Sequence, residues 1–108
     1  MCEQMERMKP VHPGEILLEE FMIPFGLSQN RLARATGVPQ SRIQGIISGM
    51  RSITSDTAMR FAAYFGTSPE FWLHAQVGYE LDAAEYSGKK QMIEQRIRLK
   101  RSAGQSLV

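Results

Sequence analysis

Gln29-Asn-Arg-Leu-Ala-Arg-Ala-Thr-Gly-Val-Pro-Gln-Ser-Arg-Ile-Gln-Gly-Ile-Ile-Ser48 is the stretch that decides the fold, because it predicts a helix, a glycine turn and a second short helix. Two helices that cross steeply need a small residue where they touch, and Ala33 is one. The turn must tolerate a positive φ, which Gly37 does at little steric cost. Ile43 and Ile46 are spaced to anchor the second helix in a core. The alternative is an ordinary helical hairpin in an unrelated bundle.

No acidic residue occurs between Glu20 and Asp56. The same interval contains four arginines: Arg31, Arg34, Arg42 and Arg51. A DNA duplex carries about one negative charge per 1.7 Å of its axis, so a carboxylate on a docking surface would be repelled. A bundle without such a partner has no reason to exclude acids from so long a stretch. We therefore expect a helix-turn-helix motif that binds double-stranded DNA.

The bulk composition fits one small globular protein. The chain has 108 residues, 43% of them hydrophobic and 22% charged, with a formal charge of only +2. Its single cysteine, Cys2, excludes an internal disulfide and is consistent with a reducing cytoplasm. No apolar run approaches the roughly 18 residues of a membrane span, and no signal peptide is evident. We expect a soluble, cytoplasmic protein without membrane contact.

Glycines and prolines divide the chain into a flexible segment at 1–11, an all-α domain at 12–86 and a basic tail at 87–108. The five predicted helices of the domain begin near Pro13, Ser28, Pro39, Thr54 and Ser68. Ser28 is the predicted N-cap of the second helix, and Thr54 or Ser55 that of the fourth. Pro24 should kink or stop the first helix, because its ring clashes with the carbonyl of Glu20. Gly26 is a plausible left-handed cap there. The tail shows weak helical spacing from Lys89 to Lys100, so we expect a short helical or disordered extension whose last residues are disordered.

The second motif helix, from about Pro39 to Ser48, should place its N-terminal part in the major groove. The candidates for base contacts are Gln40, Ser41, Arg42 and Gln44, and Pro39 at the start of the helix is also expected at the DNA-binding surface. Arginine pairs best with guanine, glutamine with adenine, and serine with either. Gly45 has two explanations: a larger side chain would hit the DNA, or helices pack closely there. The remaining candidates contact phosphates: Ser28, Gln29, Arg31, Arg34, Arg51, Ser52 and Thr54.

Four phrases carry a family resemblance: Pro13-Gly-Glu-Ile-Leu-Leu-Glu-Glu-Phe21, Gly26-Leu-Ser-Gln29, Ile53-Thr-Ser-Asp-Thr-Ala58 and Ser68-Pro-Glu-Phe-Trp-Leu73. With them the chain resembles the HigA-type, or VapI-like, antitoxins of the XRE (lambda-repressor-like) group. The resemblance implies a five-helix repressor-like domain that dimerises and represses its own operon by binding the operator. It also implies a partner, a small RelE-like toxin that cleaves messenger RNA. The alternative is a stand-alone XRE-family transcriptional regulator without a toxin.

The fifth predicted helix concentrates apolar and aromatic residues late in a small domain. A short domain cannot bury every side of such a helix, so part of it should serve a partner. We expect a homodimer, which also suits the reading of two half-sites about one helical turn apart. The residues expected at the dimer interface are Phe71, Trp72, Ala75 and Tyr79. Completion of the core explains part of the same cluster.

The chain shows no pattern of an enzyme, a metal site or a cofactor site. Acidic residues at 19–20 and 80–85 lack an accompanying nucleophile, phosphate loop or metal set, so a solvated helix face is favoured. Residues 80–85 could alternatively meet a basic toxin. His12, Glu15 and His74 lack zinc-site spacing, which favours surface or capping roles. Three roles stay open for the basic tail: phosphate contacts, partner binding or solubility.

Overall fold

The computed structural model describes residues 9–105, which are helical wherever they have regular structure. The elements are α1 (Pro13–Ile16), a π-helical segment (Leu17–Met22), α2 (Ile23–Phe25), α3 (Gln29–Thr36), α4 (Gln40–Ile47), α5 (Ser55–Phe65), α6 (Pro69–Tyr86) and α7 (Lys89–Gln105). No strand occurs among these residues, which confirms the all-α class. The first three elements follow one another without a break and form the first predicted helix.

Two compact units divide the described chain, and their boundary falls within α6. One unit is Val11–Tyr79. It begins one residue before the domain predicted at 12–86 and ends seven residues earlier. The other contains residues 80–105 and 9–10 of the described chain. The flexible segment predicted at 1–11 lies outside the described residues as far as position 8.

The tail is more helical than the sequence suggested. α7 extends from Lys89 to Gln105, past the helical spacing seen up to Lys100, and positions 106–108, which include the last residues expected to be disordered, lie outside the described residues. Ion pairs one turn apart support the helix. Lys90 Nζ lies 2.9 Å from one carboxylate oxygen of Glu94, and Arg98 lies 3.8 Å from the other.

Pro24 does not stop the first helix. The chain is wound as a π-helix just before it, and the N–H of Ile23 donates to the carbonyl of Leu18, five residues back. This wider winding accommodates a ring that would collide with the carbonyl four residues back in an α-helix. The helix then continues to Phe25 and ends at Gly26, whose φ of 66° confirms the predicted left-handed cap.

The core of the Val11–Tyr79 unit collects side chains from the π-helical segment, from α3 to α6 and from two connecting loops. The buried apolar residues are Leu17, Met22, Leu32, Val38, Ile43, Ile46, Ile53, Ala58, Phe61, Ala62 and Trp72. Trp72 is the largest of them and is 0% exposed. Its Nε1 donates to Thr67 Oγ1 at 2.8 Å, so its one polar atom is also satisfied inside the unit. The prediction that placed Trp72 at the dimer interface is therefore wrong.

The turn between α3 and α4 is fixed from α5. Gly37 has the predicted positive φ, 79°. Arg60 Nη1 donates to the carbonyl of Thr36 at 2.9 Å, and its Nε donates to the Asp56 carboxylate at 3.0 Å. Arg60 thus satisfies a carbonyl at the end of α3 that has no partner within the helix. This contact holds the helix pair in one crossing geometry.

A second glycine determines how closely α1 approaches α4. Gly14 is buried, and a Cβ built there would overlap the carbonyl oxygen of Ile46 and lie 2.9 Å from Cα of Ile47. The atoms in the way belong to the backbone of α4, which cannot move aside as a flexible side chain would. Only glycine permits this approach.

We expect Gly14→Ala to lower the free energy of unfolding by about 2 kcal/mol, because the added methyl group must push two helix backbones apart. Gly78→Ala is the matched control, since nothing lies within 4 Å of a Cβ at that helical position. There alanine should be neutral or stabilise by about 0.5–1 kcal/mol. Urea denaturation of both variants measures the difference, and equal midpoints for the two would contradict this account.

His12 caps α1 from a buried position. Its Nδ1 accepts a hydrogen bond from the N–H of Gly14 at 2.9 Å, which confirms a capping role. Its ring lies edge-on to that of Tyr79, with 4.7 Å between the centroids. Burial lowers the pKa of His12 and outweighs a backbone hydrogen bond with Arg51 and the nearby Glu15 carboxylate, both of which raise it. A proton on Nδ1 would also remove the acceptor that caps the helix.

This cap predicts a pH-dependent stability. In the unfolded chain the pKa of His12 is about 6.5, above its value in the folded chain. The unfolded state therefore binds more protons as the pH falls through about 6.5, and the free energy of unfolding decreases there. The stabilisation is fully present above that range.

His12→Asn keeps a capping oxygen but cannot titrate, so this part of the pH dependence should disappear in the variant. Denaturation curves of both proteins between about pH 8 and pH 5 test it, since His74 is common to both. Parallel pH profiles would show that His12 does not titrate as described.

Candidate nucleic-acid interface

α4 turns one side to the core and the other to solvent. Ile43 and Ile46 are fully buried and Ile47 is half-buried, three or four residues apart on one side of the helix. The exposed side carries Gln40, Ser41 and Gln44. This is the orientation predicted for a helix that contacts bases. Contact with DNA itself stays a prediction.

The start of α4 has no side-chain cap. Pro39 is its N-cap residue, and its carbonyl accepts from the N–H groups of Arg42 and Ile43 at 3.0 and 3.1 Å. The first N–H groups of the helix therefore have no side-chain acceptor, and they carry the positive end of the helix dipole. Arg42 is half-buried at the edge of the exposed side.

The predicted phosphate-contacting residues at α3 differ in their surroundings. Ser28, Gln29 and Arg34 lie at the helix surface, whereas Arg31 lines a groove. The Ser28 hydroxyl accepts from the N–H of Arg31 at 3.0 Å, which confirms the predicted cap. Gln29 is half-buried and Arg34 is exposed. The Arg31 side chain lies along an open groove between α2, α3 and α5. Its other lining residues are apolar or aromatic: Phe25, Leu27, Tyr64 and Phe65.

The loop after α4 is fixed at both ends. The N–H groups of Met50 and Arg51 both donate to the carbonyl of Gly45, at 2.8 and 3.0 Å. Farther along, the N–H of buried Ile53 donates to Gln76 Oε1 of α6 at 2.9 Å. Arg51 and the other loop candidate, Ser52, are exposed between these anchors.

Thr54 ends this loop and starts α5. Its hydroxyl accepts from the N–H of Thr57 at 3.3 Å, so it caps the helix. The side chain remains exposed. The predicted cap is confirmed, while a phosphate contact through the same residue stays a prediction.

Gly45 faces a side chain rather than another helix. A Cβ built there would lie 2.8 Å from both Cγ and Cδ of Arg51 and 3.3 Å from its Nε. Neither explanation offered by the sequence included this contact. The spacing of the two residues carries no signal for it, because the contact depends on how the loop folds back over α4.

α3, α4 and the loop after α4 contribute no acidic side chain to this surface. The next acidic residue along the chain, Asp56, pairs with Arg60 at 3.0 Å. Arg60 and Gln76 were not singled out from the sequence, although both position this surface. Arg60 donates to Thr36, 24 positions away, and Gln76 accepts from Ile53, 23 positions away. Contacts over such separations leave no local pattern in the sequence.

Three further features of the described residues concern metal binding, membrane spans and the expected dimer interface. Within residues 9–105, no group of three or more His, Cys, Asp or Glu side chains is placed to hold a metal ion. No helix in that range has the length and apolar character needed to cross a membrane. Of the expected dimer residues, Phe71 is exposed, and Ala75 and Tyr79 are half-buried.

Comparison with known proteins gives consistent matches. A family model described as helix-turn-helix matches residues 18–72. Virulence-associated protein I of Dichelobacter nodosus is 49% identical over 78 residues, which cover 72% of this chain and 72% of that protein. The structure of a HigA-family addiction module antidote protein from Coxiella burnetii matches with a TM-score of 0.73 at 45% identity. That match covers 81% of this chain and 95% of the other.

A third match involves a protein solved with DNA. It is the Pseudomonas aeruginosa antitoxin HigA with the higBA promoter, with a TM-score of 0.72 at 41% identity. The match covers 77% of this chain and 90% of that one. The residues matched by the family model, 18–72, include the α3–α4 pair. The chain therefore belongs to the helix-turn-helix family and, within it, to the HigA-type, VapI-like group.

Proposed function

We propose that this protein is a sequence-specific DNA-binding repressor that binds the operator of its own operon. The observation that carries the proposal is the exposed, acid-free side of α4, which is backed by fully buried Ile43 and Ile46. A helix fixed in this way can enter a major groove without moving from its place in the domain. The Pseudomonas relative was solved with the higBA promoter, which supports DNA binding by this protein.

In this proposal the start of α4 reads bases and its surroundings hold phosphates. Gln40, Ser41 and Gln44 are free to reach base edges, because their side chains are exposed. Arg34 is exposed on the neighbouring helix and contacts the DNA backbone, as do the uncapped N–H groups at the start of α4. Phosphate contacts fix the register, and base contacts supply the specificity.

A homodimer completes the binding unit. α6 spreads its apolar residues around the helix rather than along one side, so a single subunit cannot cover them all. Phe71 and Val77 are 40% and 51% exposed. A two-fold dimer would present two copies of α4, as the reading of half-sites about 34 Å apart, one turn of the duplex, requires.

The second part of the proposal is that the protein is an antitoxin, and its partner is a small RelE-like toxin that cleaves messenger RNA. Its support is the group to which the chain belongs, whose relatives include an antitoxin and an antidote protein. Co-expression with the product of an adjacent short reading frame tests this part. A stable complex and relief of growth arrest are expected. If the product of the adjacent reading frame is toxic but is neither bound nor neutralised by this protein, the antitoxin proposal is wrong. The alternative, a stand-alone transcriptional regulator, is then favoured.

Two alanine substitutions should separate base reading from phosphate binding. Gln40→Ala should weaken binding to the operator by about 1–3 kcal/mol and relax the choice of base at one position. Arg34→Ala should weaken binding to every duplex alike and reduce the slope of log affinity against log salt by about 1.

Fluorescence anisotropy with the gene's own upstream duplex and a scrambled duplex, at several salt concentrations, measures both effects. Each variant serves as the control for the other, because both side chains lie on the same small motif. Equal affinity of the wild-type protein for the two duplexes would contradict specific recognition.

A further inference from the structure

One position on the exposed side of α4 has no side chain of its own. Ser41 and Gly45 are four residues apart, so they lie one above the other on the same side of the helix. At Gly45 the surface would be bare backbone. The side chain of Arg51 covers it instead, with Cγ and Cδ 2.8 Å from where a Cβ of residue 45 would be.

Arg51 is held in this place by its backbone. Its N–H donates to the carbonyl of Gly45 at 3.0 Å, beside the bond that Met50 makes at 2.8 Å to the same oxygen. These two bonds tie the start of the loop, including Arg51, to the backbone of α4. Such pre-organisation reduces the entropy lost when the side chain binds a ligand.

The charged end of Arg51 is available for a ligand. The residue is exposed, and among residues 9–105 no carboxylate forms an ion pair with its guanidinium. A guanidinium offers a rigid fork of N–H donors, which matches the O6 and N7 acceptors of guanine in the major groove. A side chain that only neutralises a phosphate does not need to pack against α4 at Gly45, as Arg51 does.

We propose that Arg51 reads a guanine in the major groove, from the place that a side chain at position 45 would otherwise occupy. The proposal rests on the proposed DNA binding and replaces the phosphate contact predicted for Arg51 from the sequence. It also gives Gly45 a function, which is to leave room for the arginine stem against the helix. The specificity of the motif then comes partly from the loop that follows α4.

Selection from a library of duplexes with randomised sequence tests the assignment, because it works whatever the operator sequence is. The wild-type protein should select a motif with a guanine at a fixed position. Arg51→Lys keeps the charge but lacks the fork, so both it and Arg51→Ala should lose that preference roughly ten-fold and keep the other positions. Arg34→Ala should retain the whole motif at lower affinity. A complete motif in both Arg51 variants would overturn the proposal.

Gly45→Ala tests whether the packing of Arg51 against position 45 is needed for the guanine preference. Alanine favours the helix, and its methyl group meets only the flexible stem of Arg51, so thermal melting should show a folded protein. The variant should lose the same guanine preference, and it should cause no further loss in the Arg51→Ala background. Equal weakening in both backgrounds would mean that the methyl group collides with the DNA, which would overturn the proposal.

The same selections separate two kinds of failure. If the wild-type protein selects no motif, the proposed DNA-binding function fails, and the assignment of Arg51 fails with it. If the wild-type protein selects a motif that contains no Arg51-dependent position, only the assignment of Arg51 is overturned.

Discussion

The contact between the backbones of α1 and α4, at Gly14 and Ile46, is the constraint on which the rest of the structure depends. It brings the two helices closer than any side chain at position 14 would allow. Because Ile43 and Ile46 are fully buried on that side, the opposite side of α4 must face outward. The exposed polar surface is thus a consequence of how the core closes.

Further contacts keep this surface in one arrangement. Arg60 holds the turn before α4, and Gln76 holds the loop after it. Each is a single hydrogen bond or a pair, modest in energy, but each comes from a different helix. A surface supported in this way is pre-organised, so the proposed binding to a DNA groove would cost little conformational freedom.

Local rules explain what the sequence could predict. The caps at Ser28 and Thr54 and the turn at Gly37 depend on neighbouring residues and on backbone preference, so they appear directly in the sequence. The burial of Trp72 and the contact of Arg51 with Gly45 depend on distant elements meeting in space. Apolar content on α6 indicated an interface, but it could not distinguish the side that completes the core from the side left exposed.

Hydrogen–deuterium exchange of the wild-type protein, with and without its upstream duplex, tests the central claim most directly. The claim is that the outward side of α4 is the DNA-binding surface. Bound DNA should slow amide exchange at the start of α4, at the start of α3 and in the loop at 49–52. Slower exchange confined to the basic helix α7, with α4 unchanged, would contradict the account.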